Sequence, residues 1–490
     1  MRDASAKDGT ARLIVGPFNR VEGDLEVRLE VADGAVRAAF VSSPLFRGFE
    51  RILEGRDPFD ALVIAPRICG ICSVSQSQAA ALALAQWQGL APTANGRIAT
   101  NLLVAAENVA DHLTHFHLFF MPDFARAAYA DRPWFAAAEA RFKAGRGTSA
   151  RRLIEARATL MHVLGLLAGR WPHTLAIQPG GVTRRAEPRD QMRLLATLGA
   201  VRATLEQTLY GAPLERISAL ADPRELEAWR ALGPDGDFRL FLEIAADLDL
   251  THLGRAYDRF LSFGAYPGEE GPHYPAGTFA DGVLGGVDEA AIAEDHTFAR
   301  MEDRAAPHHP FAGSTIPDGF DETGYTWCKA PRLAGQPFET GALARQFMDG
   351  QPLARALVAA GGGNVFSRVI GRLIETARTL IAMEGWVRAL EPAEPWCAHG
   401  TNPSEGRGAG LTEAARGALG HWMEVRNGRI ARYQIIAPTT WNFSPRDAAG
   451  VPGPLEAALV GAPVQEGETT PLSVQHIVRS FDPCMVCTVH

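Results

Sequence analysis

Four cysteines in two Cys-x-x-Cys units are the residues of this sequence with the clearest capacity for chemistry. Cys69 and Cys72 form the first unit, and Cys484 and Cys487 form the second, 415 positions further along the chain. Thiolates are polarisable ligands, and a two-residue spacer lets both sulfurs face one ion. The spacing therefore predicts a soft-metal site that joins the two ends of the chain.

The spacing leaves several kinds of site open: structural zinc, an iron–sulfur cluster, or a catalytic centre of another kind. Structural zinc usually takes its ligands from small modules with short loops between them. A redox dithiol would use one pair and leave the second unexplained. Six cysteines in 490 residues do not make a disulfide framework, and we expect Cys328 and Cys397 to serve packing.

Composition excludes several classes of function. The chain is 47% hydrophobic and 21% charged, with a net charge of −8 and a pI near 6.0, so no basic field favours nucleic acid or anionic lipid. No apolar run reaches the ~20 residues of a membrane span, and residues 1–9 lack the apolar core of a signal peptide. We expect a cytoplasmic globular protein that does not insert into the membrane and does not bind nucleic acid. A chain carried across a membrane by a partner's signal would look the same.

Hydrophobic periodicity predicts an α-rich α+β fold with a large helical core and small β-hairpins. Helical patterns cover residues 98–120, 150–167, 188–211, 225–246 and 364–388. We expect one domain over residues 1–490, and its three parts are an amino-terminal hairpin part (1–60), a mainly helical core (61–420), and a second hairpin with the metal-binding carboxyl terminus (421–490).

Two hairpins and one long loop are also predicted. Alternating apolar residues surround Asp33-Gly34, with Leu25 to Val31 before the turn and Val36, Ala38 and Phe40 after it. Asn427-Gly428 predicts a second hairpin over residues 421–435. The stretch at about 264–336 is rich in Gly, Pro and His, and is interpreted as a long covering loop.

The residues that flank the cysteines give the sequence a specific resemblance. Arg67-Ile-Cys-Gly-Ile-Cys72 and Asp482-Pro-Cys-Met-Val-Cys-Thr-Val-His490 resemble the two signature motifs of nickel–iron hydrogenase large subunits. Further motifs occur in the order typical of that family, and they are Arg20-Val-Glu-Gly, Arg47-Gly-Phe-Glu50, Asp111-His-Leu-Thr-His-Phe116, Trp171-Pro-His173, Gly180-Gly-Val182, Ala415-Arg-Gly417 and Pro438-Thr-Thr-Trp-Asn442. The resemblance spans the chain and implies that family's fold and the heterolytic cleavage of dihydrogen.

The resemblance also implies a metal centre and its ligands. Cys69, Cys72, Cys484 and Cys487 would hold nickel, with Cys72 and Cys487 bridging to an iron that carries one carbon monoxide and two cyanides. Glu50, His490 and the backbone carbonyl of Ile435 would hold magnesium, a hard cation suited to oxygen ligands.

Four further residues are implied in catalysis, and a fifth in ligand binding. Glu22 would relay protons beside Cys484. Arg416 would lie over the open side of the metals, fixed by Asp111 and Asp482 through charge-assisted hydrogen bonds. Thr439 would donate a hydrogen bond to a cyanide. The histidines of the Asp111 motif (His112, His115 and His117) are expected to be packing residues rather than ligands.

Several positions depart from the common pattern of the family. Gln76 stands where the family usually has histidine; it can donate a hydrogen bond to a bridging thiolate but cannot titrate. Ala415 replaces a common proline, and Asp24 a common histidine. The chain stops at His490, where most such subunits are made with an extension that is later removed, so we expect either processing or a gene that encodes no extension.

Two bulky residues point to one subgroup. Ile71 and Phe119 match positions along the gas path that are often smaller in the family, and bulk there would hinder dioxygen more than dihydrogen. Together with Gln76 and the stop at His490, they resemble the regulatory, hydrogen-sensing subgroup.

The prediction is therefore the large subunit of a regulatory nickel–iron hydrogenase with low turnover. The chain has too few spare cysteines for an iron–sulfur relay, so a cluster-bearing small subunit is expected, in a heterodimer or a dimer of heterodimers, with a histidine kinase as signalling partner. A high-turnover uptake hydrogenase is the close alternative, and a non-catalytic, zinc-clamped scaffold is the remote one.

Overall fold

The computed structural model describes residues 11–233, 235–302 and 304–490. These residues form a helix-rich body with small, mostly antiparallel sheets, which confirms the predicted fold class. Residues 1–9, where no signal peptide is predicted, lie outside the described residues. In the described ranges, no helix combines the length and apolar character required to cross a bilayer.

A three-stranded antiparallel sheet opens the described chain. Its strands are β1 (Ala11–Val15), β2 (Glu26–Ala32) and β3 (Ala35–Ser42), in that order, and β2 and β3 form the predicted hairpin. A bulge between Glu30 and Val31 adds a residue to β3 and reverses its alternation. Ala39 and Val41 are therefore buried, and the prediction that Ala38 and Phe40 continue the inward face is wrong.

Helices dominate the next two hundred residues. They are α1 (Phe49–Leu53), α2 (Ala61–Ile64), α3 (Ser73–Gln88), α4 (Ala94–Thr114), α5 (Phe135–Phe142) and α6 (Thr148–Ala168), then, after the two-residue strands β4 (Ile177–Gln178) and β5 (Gly181–Val182), α7 (Pro188–Leu205), α8 (Leu214–Ser218), α9 (Pro223–Arg230) and α10 (Asp237–Asp247). The single helix predicted over 225–246 is two helices, because Gly-Pro-Asp-Gly at 233–236 interrupts it. π-helical turns extend α4 over His115–Phe120 and α7 over Glu206–Tyr210.

The stretch 264–336 is more ordered than the predicted covering loop. It includes the second half of β6 (Phe260–Pro267) and all of β7 (Pro272–Ala280), β8 (Val283–Gly285), β9 (Ile292–Asp295) and β10 (Ala330–Leu333). β8 pairs with β7 only at Thr278–Ala280, so Pro272 and Pro275 lie where one edge of β7 has no partner strand in the described chain. The loop prediction is wrong for these strands, because prolines at an open edge do not prevent pairing on the other side.

The last third of the chain carries the longest helix and a larger hairpin. Its elements are β11 (Glu339–Thr340), α11 (Ala342–Met348), α12 (Pro352–Gly361), α13 (Val365–Arg388), β12 (Gly406–Ala414), β13 (Gly417–Arg426), β14 (Arg429–Ile436), α14 (Pro438–Asn442), α15 (Pro454–Leu459), α16 (Leu472–Ser480) and α17 (Met485–Thr488). Asn427 and Gly428 both have positive φ and form the predicted two-residue turn between β13 and β14.

Glycines let helix α3 lie directly on strand β12. A Cβ added at Gly408 would meet the carbonyl oxygen of Ala83 at 1.9 Å, and one at Gly410 would meet that of Ala79 at the same distance. Residues that are two positions apart on a strand lie on the same face, and so do residues that are four positions apart on a helix. This close approach positions the amino-terminal end of α3, where Cys72 lies.

We therefore expect Gly410→Ala to force α3 away from the sheet. Overpacking of this kind costs about 1–3 kcal/mol, so the melting temperature and the bound metal should both fall. Gly165→Ala is the matched control, because Gly165 lies within α6 with no atom within 4 Å of an added Cβ and alanine favours a helix. Equal melting temperatures for the two variants would contradict the close-packing argument.

Candidate metal centre

The four cysteines of the two Cys-x-x-Cys units meet in the interior. Sγ of Cys69 lies 3.4 Å from that of Cys484, and Sγ of Cys72 lies 3.0 Å from that of Cys487. Cys484 and Cys487 are 3.0 Å apart, and all four sulfurs lie within 4.8 Å of one another. All four are buried, free thiols, so the donor set fits a soft metal ion.

The helix ends and turns that carry the cysteines bring their sulfurs close together. Cys72 is the residue that precedes α3, and Cys484 is the residue that precedes α17. Cys69 follows a short 3₁₀ turn at Ala65–Arg67. Burial raises the pKa of the Cys484 and Cys487 thiols, so a bound cation would have to displace their protons.

The carboxyl-terminal motif is held by the backbone of Glu22. The N–H of Glu22 donates to the carbonyl of Pro483 at 3.4 Å, and the N–H of Met485 donates to the carbonyl of Glu22 at 2.7 Å. Gly23 follows with φ +80°, and a Cβ there would lie 3.1 Å from Met485. Glu22 is therefore fixed beside Cys484, and burial, together with Cys69, raises the pKa of its carboxyl group.

Arg47 links the two cysteine motifs, a role that sequence reasoning missed. Its guanidinium donates to the carbonyl of Ile68 at 2.7 Å and also to the carbonyl of Val486. One cation therefore joins the residue before Cys69 to the residue before Cys487. Its place in the Arg47-Gly-Phe-Glu50 motif was the available signal.

Glu107 is a second residue that was missed. This buried carboxylate on α4 accepts hydrogen bonds from the backbone N–H groups of Val74 and Ser75, both at 2.9 Å, and from Nε1 of Trp171. It satisfies donors in the first turn of α3 and so fixes the start of that helix. Burial raises the pKa of Glu107 to about 7.

Arg416 lies between two buried aspartates. Its guanidinium forms ion pairs with Asp111 at 2.8 Å and Asp482 at 3.0 Å, and Nε donates to the backbone carbonyl of Asp482 at 2.9 Å. Burial raises the pKa of Asp111. Burial opposes the charge on Asp482 as well, but Arg416 outweighs it and lowers that pKa. The expected trio is therefore assembled, with Arg416 as its centre.

Thr439 and Gln76 each form a hydrogen bond with the backbone of a cysteine. Oγ1 of Thr439 accepts from the N–H of Cys484 at 3.2 Å, which leaves its own proton for another acceptor. Gln76 lies one helical turn after Cys72 on α3, and its backbone N–H donates to the carbonyl of Cys72.

The three residues expected to hold magnesium also meet. Nε2 of His490 lies 2.8 Å from the carbonyl oxygen of Ile435 and 3.5 Å from Oε1 of Glu50. Glu50 Oε1 accepts from the N–H of Ile435, and Lys329 Nζ lies 3.7 Å from it. Burial opposes ionisation, but Lys329 and His490 outweigh it and lower the pKa of Glu50 to about 2. Oε2 of Glu50 is buried with no hydrogen-bond partner in the described chain, which fits a hard cation.

The two remaining candidates, Ile71 and Phe119, are both part-buried. Ile71 is part-buried, and its N–H lies 3.3 Å from Sγ of Cys69. Phe119 is part-buried in the π-helical turn, where its carbonyl accepts from Arg20.

The histidines on α4 and its π-helical extension have protein partners. The hydrogen bonds are His112 to Glu375 (2.9 Å), His115 to the carbonyl of Arg479 (2.6 Å) and His117 to Asp237 (3.2 Å). These contacts agree with packing roles.

Comparison with known proteins places this arrangement in a family. The model of the nickel-dependent hydrogenase family matches residues 47–141 and 241–490, which include all four clustered cysteines. The chain belongs to the nickel-dependent hydrogenase family. It is therefore an enzyme, and the zinc-clamped scaffold is removed as an alternative.

Relatives of this hydrogenase match over its whole length. It is 30% identical to the periplasmic [NiFeSe] hydrogenase large subunit of Desulfomicrobium baculatum, covering 99% of this chain and 96% of that protein. It is 26% identical to the hydrogenase-2 large chain of Escherichia coli K12, with 98% and 97% covered. The reduced Ni-Fe-Se hydrogenase of D. vulgaris Hildenborough superposes with a TM-score of 0.84 at 28% identity, with 98% and 100% covered.

The metal assignment predicts a difference between cysteines. We expect Cys487→Ser to reduce bound nickel to background, because the buried cluster loses one of its four sulfurs. Cys397→Ser is the control, since Cys397 lies outside the cluster and is part-exposed, and it should keep its nickel. Elemental analysis of the purified proteins checks this; full nickel content in Cys487→Ser would refute the ligand role.

Proposed function

We propose that this hydrogenase chain is the large subunit of a regulatory nickel–iron hydrogenase that cleaves dihydrogen slowly and reports its presence. The observation that carries the dihydrogen chemistry is the buried cluster of four sulfurs within 4.8 Å beside Glu22 and Arg416. Cys69, Cys72, Cys484 and Cys487 would hold the nickel. Cys72 and Cys487 would bridge to the iron, which would carry one carbon monoxide and two cyanides.

Proton movement is the task of this chain's own residues. When bound, the nickel–iron centre supplies the electron-accepting site at which dihydrogen is polarised. Sγ of Cys484 would take the proton, because a terminal thiolate is a base adjacent to the reacting atoms. Glu22 would then carry it outward, and its raised pKa favours this role, because a carboxyl group that titrates nearer neutrality can both accept and release a proton.

Arg416 would orient ligands on the open side of the centre. Asp111 and Asp482 hold its guanidinium from two sides, so its remaining donor directions are fixed. Thr439 would donate its hydroxyl proton to a cyanide, since its oxygen already accepts from Cys484.

Magnesium would stabilise the carboxyl terminus. Glu50, the carbonyl of Ile435 and His490 are held within hydrogen-bonding or ion-pair distance of one another, and a hard cation fits their donor atoms. In this role it would join α1, β14 and the last residue of the chain.

A partner subunit would carry the electrons away. Four of the six cysteines lie in the cluster, and Cys328 and Cys397 are too few for an iron–sulfur relay. We propose a cluster-bearing small subunit, in a heterodimer or a dimer of heterodimers, in the cytoplasm.

Support for the sensory role comes from three residues. Gln76 replaces a titratable histidine with an amide, and Ile71 and Phe119 add bulk at positions assigned to the gas path. A narrow path would protect a sensor from dioxygen, and a histidine kinase would receive the signal.

Uptake hydrogenase is the second candidate, and the names of the relatives favour it. One is called the uptake hydrogenase large subunit of Bradyrhizobium diazoefficiens, at 27% identity over 98% of this chain. Another is the quinone-reactive Ni/Fe-hydrogenase large chain of Wolinella succinogenes, at 28% identity.

The proton relay predicts the outcome of Glu22→Gln. The amide cannot carry a proton, so exchange between deuterium gas and water should fall by at least about a hundredfold, the lower end of general acid–base effects, while nickel content stays unchanged. Mass spectrometry of the evolved hydrogen deuteride measures this. Glu26→Gln, at an exposed position of strand β2, should behave as wild type; normal exchange in Glu22→Gln would refute the relay.

Turnover separates the sensor from the uptake enzyme. We expect the purified complex to oxidise dihydrogen with a dye acceptor at kcat of about 1 s⁻¹ or less, at the low end of the ~1–10³ s⁻¹ usual for enzymes. The assay is run beside E. coli hydrogenase-2. Comparable rates for the two, at comparable nickel content, would favour the uptake function.

A further inference from the structure

A buried chain of three hydrogen-bonded side chains ends at Gln76, whose backbone N–H donates to the carbonyl of Cys72. Oε1 of Gln76 lies 2.7 Å from Nε2 of His421, and Nδ1 of His421 lies 2.8 Å from the hydroxyl of Tyr433. All three residues are fully buried. Nε2 of Gln76 is buried too and has no hydrogen-bond partner in the described parts of the chain.

Tyr433 determines the direction of the first hydrogen bond. A tyrosine phenol is protonated at neutral pH, and the full burial of Tyr433 disfavours its anion further, so the phenol keeps its proton. Nδ1 of His421 is the hydrogen-bond partner of this hydroxyl in the described chain. The proton must therefore be donated to Nδ1, which means that Nδ1 is an acceptor without a hydrogen of its own.

The second hydrogen bond follows from the first. The imidazole of His421 is fully buried, and its two nitrogens face neutral partners, a phenol and an amide. The neutral form with one proton is therefore favoured, and that proton is on Nε2. Nε2–H can donate only to an acceptor, so the atom of Gln76 that faces it is Oε1. The amide NH₂ of Gln76 then points away from His421.

The opposite arrangement is disfavoured by its unsatisfied groups. With the proton on Nδ1, the phenol proton of Tyr433 would have no acceptor, and a buried unsatisfied donor costs about 1–3 kcal/mol. The amide of Gln76 would also turn its oxygen towards the thiolates, so two acceptors would face each other. Gln76 lies one helical turn after Cys72 on α3, and side chains on a helix lean towards its amino terminus, so its side chain extends towards the end of α3 that carries Cys72.

We infer that Tyr433 and His421 are positioning residues that orient the amide of Gln76, so that its NH₂ donates to a thiolate of the metal-binding cluster. The inference rests on the metal assignment of the proposed function and not on the sensory role. A donor to a ligating sulfur stabilises the more electron-rich form of the centre, so it raises the reduction potential.

Imidazole ¹⁵N NMR tests the orientation directly. We expect the His421 signals, assigned by their loss in His421→Asn, to show the Nε2–H tautomer with Nδ1 as a hydrogen-bonded acceptor. In Tyr433→Phe the Nδ1 signal should shift to that of a nitrogen without a donor. An Nδ1–H tautomer or an imidazolium in the wild type would overturn the inference. This NMR measurement of the tautomer does not require bound metal.

Redox titration tests the consequence in protein whose nickel content has been measured first. Tyr433→Phe should lower the midpoint potential of the nickel signal, in the same direction as Gln76→Met. The double variant should match Gln76→Met alone, because Tyr433 acts only through Gln76. A further downward shift in the double variant, or no shift in Tyr433→Phe, would refute the positioning role.

Tyr129→Phe is the matched control. The hydroxyl of Tyr129 lies 2.7 Å from Nε2 of His476, so this variant removes the same type of phenol–imidazole bond elsewhere in the interior. It should leave the midpoint potential unchanged; an equal shift would show that the effect of Tyr433→Phe is not specific. Absence of nickel from the wild-type protein would instead be a failure of the metal assignment, and the NMR result on the orientation would stand apart from it.

Discussion

Burial of the carboxyl terminus is the constraint on which the rest of this structure depends. Two of the four clustered sulfurs belong to residues 484–490, which must be held against the first cysteine pair. Three sets of bonds hold this segment: the backbone of Glu22 pairs on both sides of Cys484, Arg47 donates to the carbonyl of Val486, and His490 bonds to Ile435. These bonds bring together, in the protein interior, cysteines that are 415 positions apart in the sequence.

The second constraint is charge. Arg416 is buried beside the sulfurs and would be costly without partners, since breaking a buried ion pair costs about 3–5 kcal/mol. Asp111 and Asp482 supply those partners from α4 and from the turn before α17. Asp482 adopts φ +56°, a left-handed conformation that aspartate tolerates. The same residue therefore turns the chain into the second cysteine pair and fixes the guanidinium.

Gln76 shows how the orientation of a neutral hydrogen-bonding group can be fixed by its neighbours. A histidine at this position could donate from either ring nitrogen, whereas an amide donates only from its nitrogen side. The orientation of the amide is therefore the quantity that must be controlled, and in this chain the control comes from β13 and β14 through His421 and Tyr433. The strands that support the cluster would thus also set its electronic environment.

The sequence by itself determined the fold class, the two hairpins and the residues that surround the cluster, because Cys-x-x-Cys spacing, Asn-Gly turns and the flanking motifs are local signals. The sequence did not predict the bulge that turns Phe40 outward or the strands within 264–336, because both depend on which strands pair with each other. Arg47, Glu107 and the Tyr433–His421–Gln76 chain were also beyond it. Their roles come from contacts between residues 12 to 439 positions apart, and only the tertiary structure brings such residues within hydrogen-bond distance.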